Sequence, residues 1–358
     1  MAINRRTLLA QTAVWSLGYT LGGCRAWERT ALRLGILKGS FPNRWLQDFR
    51  REGTGRPALQ VQARPQLDDL FAQLPQARNH LITLGQFWLS QAIAQNWLQP
   101  LDTPVIQELP DPWPTLARRN AQGQPDPQGA LWAVPYAWGT TAIAYRRDRF
   151  GDNPPQDWSD LWQPALKQRL ALVDHPREVL GLTLKSLGES YNTGRPADIK
   201  GLRNALAHLQ AQVRLYSNRY YLQPLMQGDV WAAVGWSSDL LPVARRNPML
   251  GVVVPRSGTA LWADLWVAPR AAGAVPPLAQ DWLQFCHQPR QGQSLLTQGT
   301  SAPPRLLGNA SPSNPIALGH PAQIPAPEVL QRSEFLQPLS PGSTDQYRQL
   351  WTWMRQLT

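Results

Sequence analysis

Along the chain, hydrophobic and polar positions change period in a regular order. Leu32-Arg33-Leu34-Gly35-Ile36-Leu37 predicts a first strand, followed by a loop at Lys38-Gly39-Ser40-Phe41-Pro42. Trp45, Leu46 and Phe49 then recur at helical spacing, and Leu59-Gln60-Val61-Gln62-Ala63 alternates as a second strand. Leu67, Leu70, Phe71 and Leu74 predict a helix closed by Pro75, and His80-Leu81-Ile82-Thr83-Leu84 a buried strand, with a helix over 89–98 after it. This β-α-β-α-β-α order implies a mainly parallel sheet covered by helices on both faces. Ligands of such sheets bind at the loops beyond the carboxyl ends of the strands, here 38–40, 64–66 and 85–87.

Residues 100–114 and 122–128 are proline-rich and extended, and 132–145 is an apolar, β-prone stretch. A second alternation follows. It predicts a strand over 170–173 ending at Asp174-His175, helices over 179–187 and 198–212, and a strand over 231–235 ending at Trp236. Strands over 250–255 and 261–269 and a helix over 278–287 come next. Residues 302–327, rich in Pro, Ala and Ser, read as irregular surface, and 347–354 as a closing aromatic helix. No internal repeat is present at solenoid or propeller periods. Two successive α/β halves joined by a β-like crossover predict an α/β fold of two lobes. Each lobe would be a mixed, mainly parallel sheet flanked by helices, with a ligand cleft between them. The expected boundaries are 24–139 plus about 258–310 for lobe 1 and 140–257 plus about 311–358 for lobe 2.

The first residues stand apart from this pattern. Arg5-Arg6-Thr7-Leu8-Leu9 opens an uncharged apolar stretch reaching Gly23, shorter than the ~20 residues that cross a bilayer. It reads as an export signal over residues 1–23, with the twin arginine permitting either of two export routes. Leu21-Gly22-Gly23-Cys24 resembles the lipobox of bacterial lipoproteins, in which the Cys24 thiol is acylated. An uncleaved anchor helix is the alternative. Cys286 would then be the remaining cysteine, so no internal disulfide is available and the core alone holds the fold.

Charge changes the picture little. The net charge of +11 falls to +9 without Arg5 and Arg6. The arginines are scattered singly or in pairs near acids and prolines, with no basic run interleaved with aromatics, which argues against a nucleic-acid partner. Attraction to an anionic membrane surface suits a tethered protein better. Seventeen tryptophans are many for 358 residues, and several sit beside glycines, serines or acids, where an indole face can meet a ligand.

Enzymatic motifs are missing. Gly235-Trp236-Ser237-Ser238-Asp239 lacks the second glycine of a nucleophile elbow, and no phosphate loop, dinucleotide glycine pattern or HExxH occurs. His80, His175, His208, His287 and His320 are isolated in sequence, so no local metal cluster and no cofactor is indicated. Tyr220-Tyr221 raises ferric binding as an option, with packing or cleft lining as the other reading.

The segment Val134-Pro135-Tyr136-Ala137-Trp138-Gly139-Thr140-Thr141-Ala142-Ile143 resembles the crossover motif of periplasmic spermidine/putrescine-binding proteins. Asp157-Trp158-Ser159-Asp160-Leu161-Trp162-Gln163-Pro164, Asp174-His175-Pro176-Arg177-Glu178-Val179-Leu180, Met226-Gln227-Gly228-Asp229-Val230, Trp236-Ser237 and Leu261-Trp262-Ala263-Asp264 continue the resemblance in order over about 130–270. The resemblance implies a monomeric, two-lobed solute-binding protein of an ABC importer, not an enzyme. It would be periplasmic, lipid-tethered to the outer face of the cytoplasmic membrane or another envelope membrane, and would deliver a polyamine-like cation to an ABC permease and ATPase. On matching positions Glu178 and Asp264 would hold ammonium groups and Trp236 and Trp262 would be stacking walls. His175 and Phe87 stand at matching site positions, and Gln337 would add a polar contact. The chain departs from the family at His175, where the family has an acid, at Leu37-Lys38-Gly39-Ser40, where it has an aromatic-acid-aromatic cluster, and at Gly85 and Phe87, where it has Ser and Tyr.

Each site residue also has a purely structural role open to it. Asp264 would cap a strand turn or pair with Arg270. Glu178 is an acid in a helix's first turn, favoured there by the dipole. Trp236 and Trp262 would pack the core, and His175 before a proline would be structural. Two other ligand readings stand: a carboxylate-bearing molecule held by Lys38 and His175, and ferric ion. A non-transport interaction protein that keeps the fold is the alternative from another class.

Overall fold

Strands appear where the alternating runs predict them in the computed structural model, which describes residues 31–52, 58–307 and 320–357. Strands β1 (Leu32–Leu37), β2 (Leu59–Arg64) and β3 (Leu81–Gly85) are parallel, with β1 in the middle. A long strand, β4 (Ala133–Arg146), crosses the molecule. Beyond it come β5 (Leu170–Leu172), β6 (Val213–Tyr216), β7 (Ala232–Trp236), β8 (Leu250–Val253) and β9 (Ala260–Pro269). The main path runs β2-β1-β3-β9-β4-β7-β5-β6.

Two sub-sheets share β4 end to end. Residues 133–140 of β4 pair antiparallel with β9, which also runs antiparallel to β3. Residues 141–146 pair instead with β7 and β8. Val134 to Tyr145 are all buried, because this strand is covered on both faces. Separate hydrophobic cores form on the two sides. One holds Leu32, Trp45, Leu84, Trp266 and Trp282; the others hold Ile143, Leu172, Leu180, Val234 and Tyr221. The first contains a close aromatic cluster, with Phe41 stacked on Trp45 and Tyr136 on Trp266 at 5.1 and 4.9 Å. Trp266, on β9, ties that strand into the cluster through contacts with Phe41, Tyr136 and Trp282. Tryptophan N–H groups also pin loops: Trp113 donates to Pro304 O, Trp138 to Pro303 O and Trp158 to Gly258 O.

Helices α1 (Arg44–Glu52), α2 (Leu67–Gln73), α3 (Pro176–Ser186), α4 (Leu202–Gln212), α5 (Ser237–Arg246) and α6 (Pro277–Cys286) follow the strands. None of the described helices is long and apolar enough to cross a membrane. Some expectations are corrected. The helix expected over 89–98 ends at Ala94, because Asn96 adopts a left-handed φ of 57° and the chain turns into a short strand at Leu98–Gln99. Of the stretch read as irregular surface, Ala302, Ala322 and Gln323 are fully buried, Ala302 bridging to Trp138. The export segment and Cys24 lie outside the described residues.

Candidate functional site

A cavity of about 140 Å³ opens between the two sub-sheets, at the carboxyl ends of β1, β2, β3 and β7. This is the edge at which an open α/β sheet binds ligands. From one side Leu37, Phe87, Trp88, Trp262 and Asp264 line it; from the other His175, Trp236 and Asp239 do.

Asp264 sits on β9 opposite Gly85 of β3 and Ala137 of β4. The β4 register shifts between Asp264 and Leu265, a bulge of the kind that re-aims a side chain. The residue is 5% exposed, and its carboxylate has no hydrogen-bond or ion-pair partner among the described residues. Burial, then the charge of Asp239, push its pKa up to about 7. The alternative pairing with Arg270 does not form, since Arg270 Nε donates to Leu98 O.

Trp262 precedes it by two positions, on the same face of β9. Its Nε1 donates to Thr140 O at 3.0 Å, laying the indole over β4. Gly139 makes room for it: a Cβ there would stand 2.3 Å from the indole ring and 2.6 Å from Ser237 Oγ.

Trp236 ends β7, and its Nε1 reaches Glu178 Oε1 at 3.4 Å. Glu178, in the first turn of α3, is 3% exposed and also accepts from Thr141 Oγ1 at 3.0 Å. Burial raises its pKa to about 7, against the pull of Thr141, Trp236 and Arg177. It supports Trp236 from behind, and the cavity lining does not include it.

His175 caps α3, its Nδ1 accepting from Glu178 N at 3.3 Å. Its ring meets Phe87 edge-on at 5.4 Å, across the cleft. Burial, with Arg177 nearby, lowers its pKa to about 4, so it is neutral at physiological pH.

Two cavity acids escaped sequence reasoning. Asp239 lies in the first turn of α5 and accepts from Tyr221 Oη at 2.8 Å; burial raises its pKa, against the bonds from Tyr221 and Ser238. Asp68 stands at the rim, two residues past the loop expected to bind, in α2. The signal for Asp239 was its place three residues after Trp236, where a helix's first turn brings it beside the strand end. Gln337 is placed elsewhere, its N–H donating to Asn192 and its carbonyl accepting from Arg177. Lys38 is exposed and does not line the cavity. Tyr221 is buried on Asp239, whereas Tyr220 is 63% exposed, so the tyrosine pair does not converge.

Three carboxylates, no lysine or arginine, and indole walls therefore define the described lining. Such a site suits a cation, by charge-assisted hydrogen bonds and by ring faces worth ~0.5–2 kcal/mol each. The model of the bacterial extracellular solute-binding protein family matches residues 52–314. The chain belongs to this family.

Among relatives of this solute-binding protein, the spermidine/putrescine-binding periplasmic protein of Salmonella typhimurium is 33% identical over 192 residues, 54% of each chain. The putrescine-binding periplasmic protein PotF of Escherichia coli is 26% identical over 209 residues, 54% of this chain and 56% of PotF. The chain thus spans about half the length of the curated relatives it matches. The crystal structure of PotD, a spermidine/putrescine ABC transporter substrate-binding protein from Streptococcus pneumoniae, superposes with a TM-score of 0.77 at 22% identity, covering 91% of this chain and 99% of that one. The TpPotD lipoprotein of Treponema pallidum gives 0.72 at 18%, covering 90% and 99%. The fold is the two-lobed periplasmic-binding-protein type.

Proposed function

We propose that this solute-binding protein captures a small organic cation of the polyamine type between its lobes and presents it to an ABC permease and ATPase. The observation that carries this is Asp264: a buried carboxylate with no partner among the described residues, lining a cavity together with Trp236 and Trp262. Leaving an acid unpaired in a buried site costs stability unless a ligand supplies the counter-charge. The polyamine names of the relatives support the same class of ligand. A carboxylate-bearing ligand would meet three acids and no cation in this lining. Ferric binding is not supported by Tyr220 and Tyr221, of which the first is exposed and the second bonded to Asp239.

The lobe boundaries belong to this reading: 24–139 plus about 258–310, and 140–257 plus about 311–358, hinged near 140–144 and 255–259. So do export, acylation at Cys24 and a periplasmic, membrane-tethered, monomeric state, with Cys24→Ala expected to release the protein from the membrane fraction. A thermal-shift screen of the mature protein against polyamines, amino acids and ferric ion tests the ligand class. A polyamine at 100 times its dissociation constant adds ~2.7 kcal/mol to stability. A shift with amino acids or iron and none with amines contradicts the proposal.

A further inference from the structure

The cavity's acids differ in depth. Asp264 is 5% exposed and unpartnered, and Asp239 is half-buried and bonded to Tyr221. These two approach one another from opposite lobes, close enough for the charge of Asp239 to raise the pKa of Asp264. Asp68 is at the other extreme, exposed at the rim on α2. Its carboxylate makes no hydrogen bond or ion pair among the described residues. Its pKa is nonetheless raised, by partial burial and by Asp69, while Arg219 draws it back. Arg219 belongs to the opposite lobe, beside the cavity-lining Asn218. Its guanidinium is exposed and forms no ion pair within 4.0 Å among the described residues.

The polar ends of the cavity are therefore not equivalent. The inner end holds two acids with no cation acting on either among the described residues. The rim holds one acid under the influence of a cation that can swing aside. The lining also presents the apolar faces of Phe87, Trp88 and Trp262.

Resting on the reading of the cleft as a cation site, we propose that Asp68 is the first lobe's anchor for a second ammonium group, with Arg219 as its competitor across the mouth. A monocation satisfies the inner acids alone. A dication of matching length satisfies both ends and takes the place of Arg219 at Asp68. Asp68 then sets the preference for diamines over monoamines, and Arg219 sets how much that second contact is worth.

Calorimetry with putrescine and with 1-aminobutane, chains of equal carbon number, separates the two ends. In the wild-type protein putrescine binds more tightly. Asp68→Asn lowers putrescine affinity about tenfold and leaves 1-aminobutane unchanged, so the ratio collapses. Arg219→Gln raises putrescine affinity severalfold, also without effect on the monoamine. Both positions are exposed, so the variants fold, as circular dichroism and thermal melting verify. Putrescine bound equally well by wild type and Asp68→Asn overturns the role of Asp68 and leaves the cation site standing. Loss of both ligands in parallel also overturns it. Wild-type protein that binds neither amine overturns the cation site and this proposal together.

Discussion

At Asp264, the proposed ligand contact, burial works against the stability of the empty protein. Its folded pKa of about 7 stands above the ordinary carboxylate value of 3.8, so the folded chain holds a proton that the unfolded chain releases. From about pH 4 up to pH 7 this group makes the empty protein progressively less stable, since the folded state then binds more protons than the unfolded one. Glu178 acts in the same direction. His175 and His287 oppose them: folded values of about 4 and about 3, against 6.5, give stability that is present above pH 6.5 and is lost as pH falls. Substitution isolates the acid. Asp264→Asn is expected to stabilise the empty protein by about 2–4 kcal/mol at pH 8, taking about 1.4 kcal/mol per pKa unit, with most of the gain gone at pH 4.5. Urea melts of both proteins at the two pH values measure this. The same variant loses tenfold or more in amine affinity, the trade expected of a residue kept for function. If Asp264 holds an ammonium as proposed, binding returns it to its charged form, so binding near pH 6.5 is expected to release protons and affinity to rise from pH 5.5 to 8. Calorimetry in buffers of different ionisation heat detects the release; equal heats in all buffers would count against it.

Among the elements, Gly139 on β4 carries the most direct test. A Cβ at that position meets Trp262 and Ser237, so Gly139→Ala displaces the indole and breaks its bond to Thr140 O. Amine affinity is expected to fall tenfold or more in a protein that still melts cooperatively, read by calorimetry and scanning calorimetry together. Most strands of this fold were legible, because period-2 alternation and buried apolar runs survive in β1, β2, β4 and β9. What escaped has identifiable causes. Helix α5 (Ser237–Arg246) was not read because Pro242 interrupts it, although its first turn brings Asp239 to the site. Strand β6 follows α4 without a break at Gln212/Val213, so no turn residue marks its start. Within the site, Asp264, Trp262, Trp236, His175 and Phe87 come together at one cavity, while Gln337 is not in its lining, its backbone N–H donating to Asn192 Oδ1, and Glu178 accepts from Trp236 outside the lining. Asp68 went unread because an acid in the first turn of a helix has an ordinary local explanation, and its distance from Asp264 is set only by the tertiary fold.

For the whole molecule, the arrangement of β4 matters most. One strand serves two sub-sheets end to end, so the proposed hinge at 140–144 would lie where its pairing passes from β9 to β7. Acids that face each other across the cavity disfavour closure when empty, and a cation between them rewards it, so the ligand shifts a population by its differential affinity. Binding is therefore expected to lower the radius of gyration in small-angle scattering and to change tryptophan fluorescence as Trp236 and Trp262 lose water. A bound amine with neither change would mean a rigid pocket. The claim beneath all of this is that a cation is held between the lobes by Asp264 and Asp239 and flanked by the two indoles. A crystal structure of the protein grown with saturating putrescine tests it most directly. An ammonium nitrogen is expected within hydrogen-bonding distance of both carboxylates, with a methylene chain lying against Trp236 and Trp262. Putrescine bound elsewhere, with Asp264 still unpartnered in an empty cavity, would contradict it.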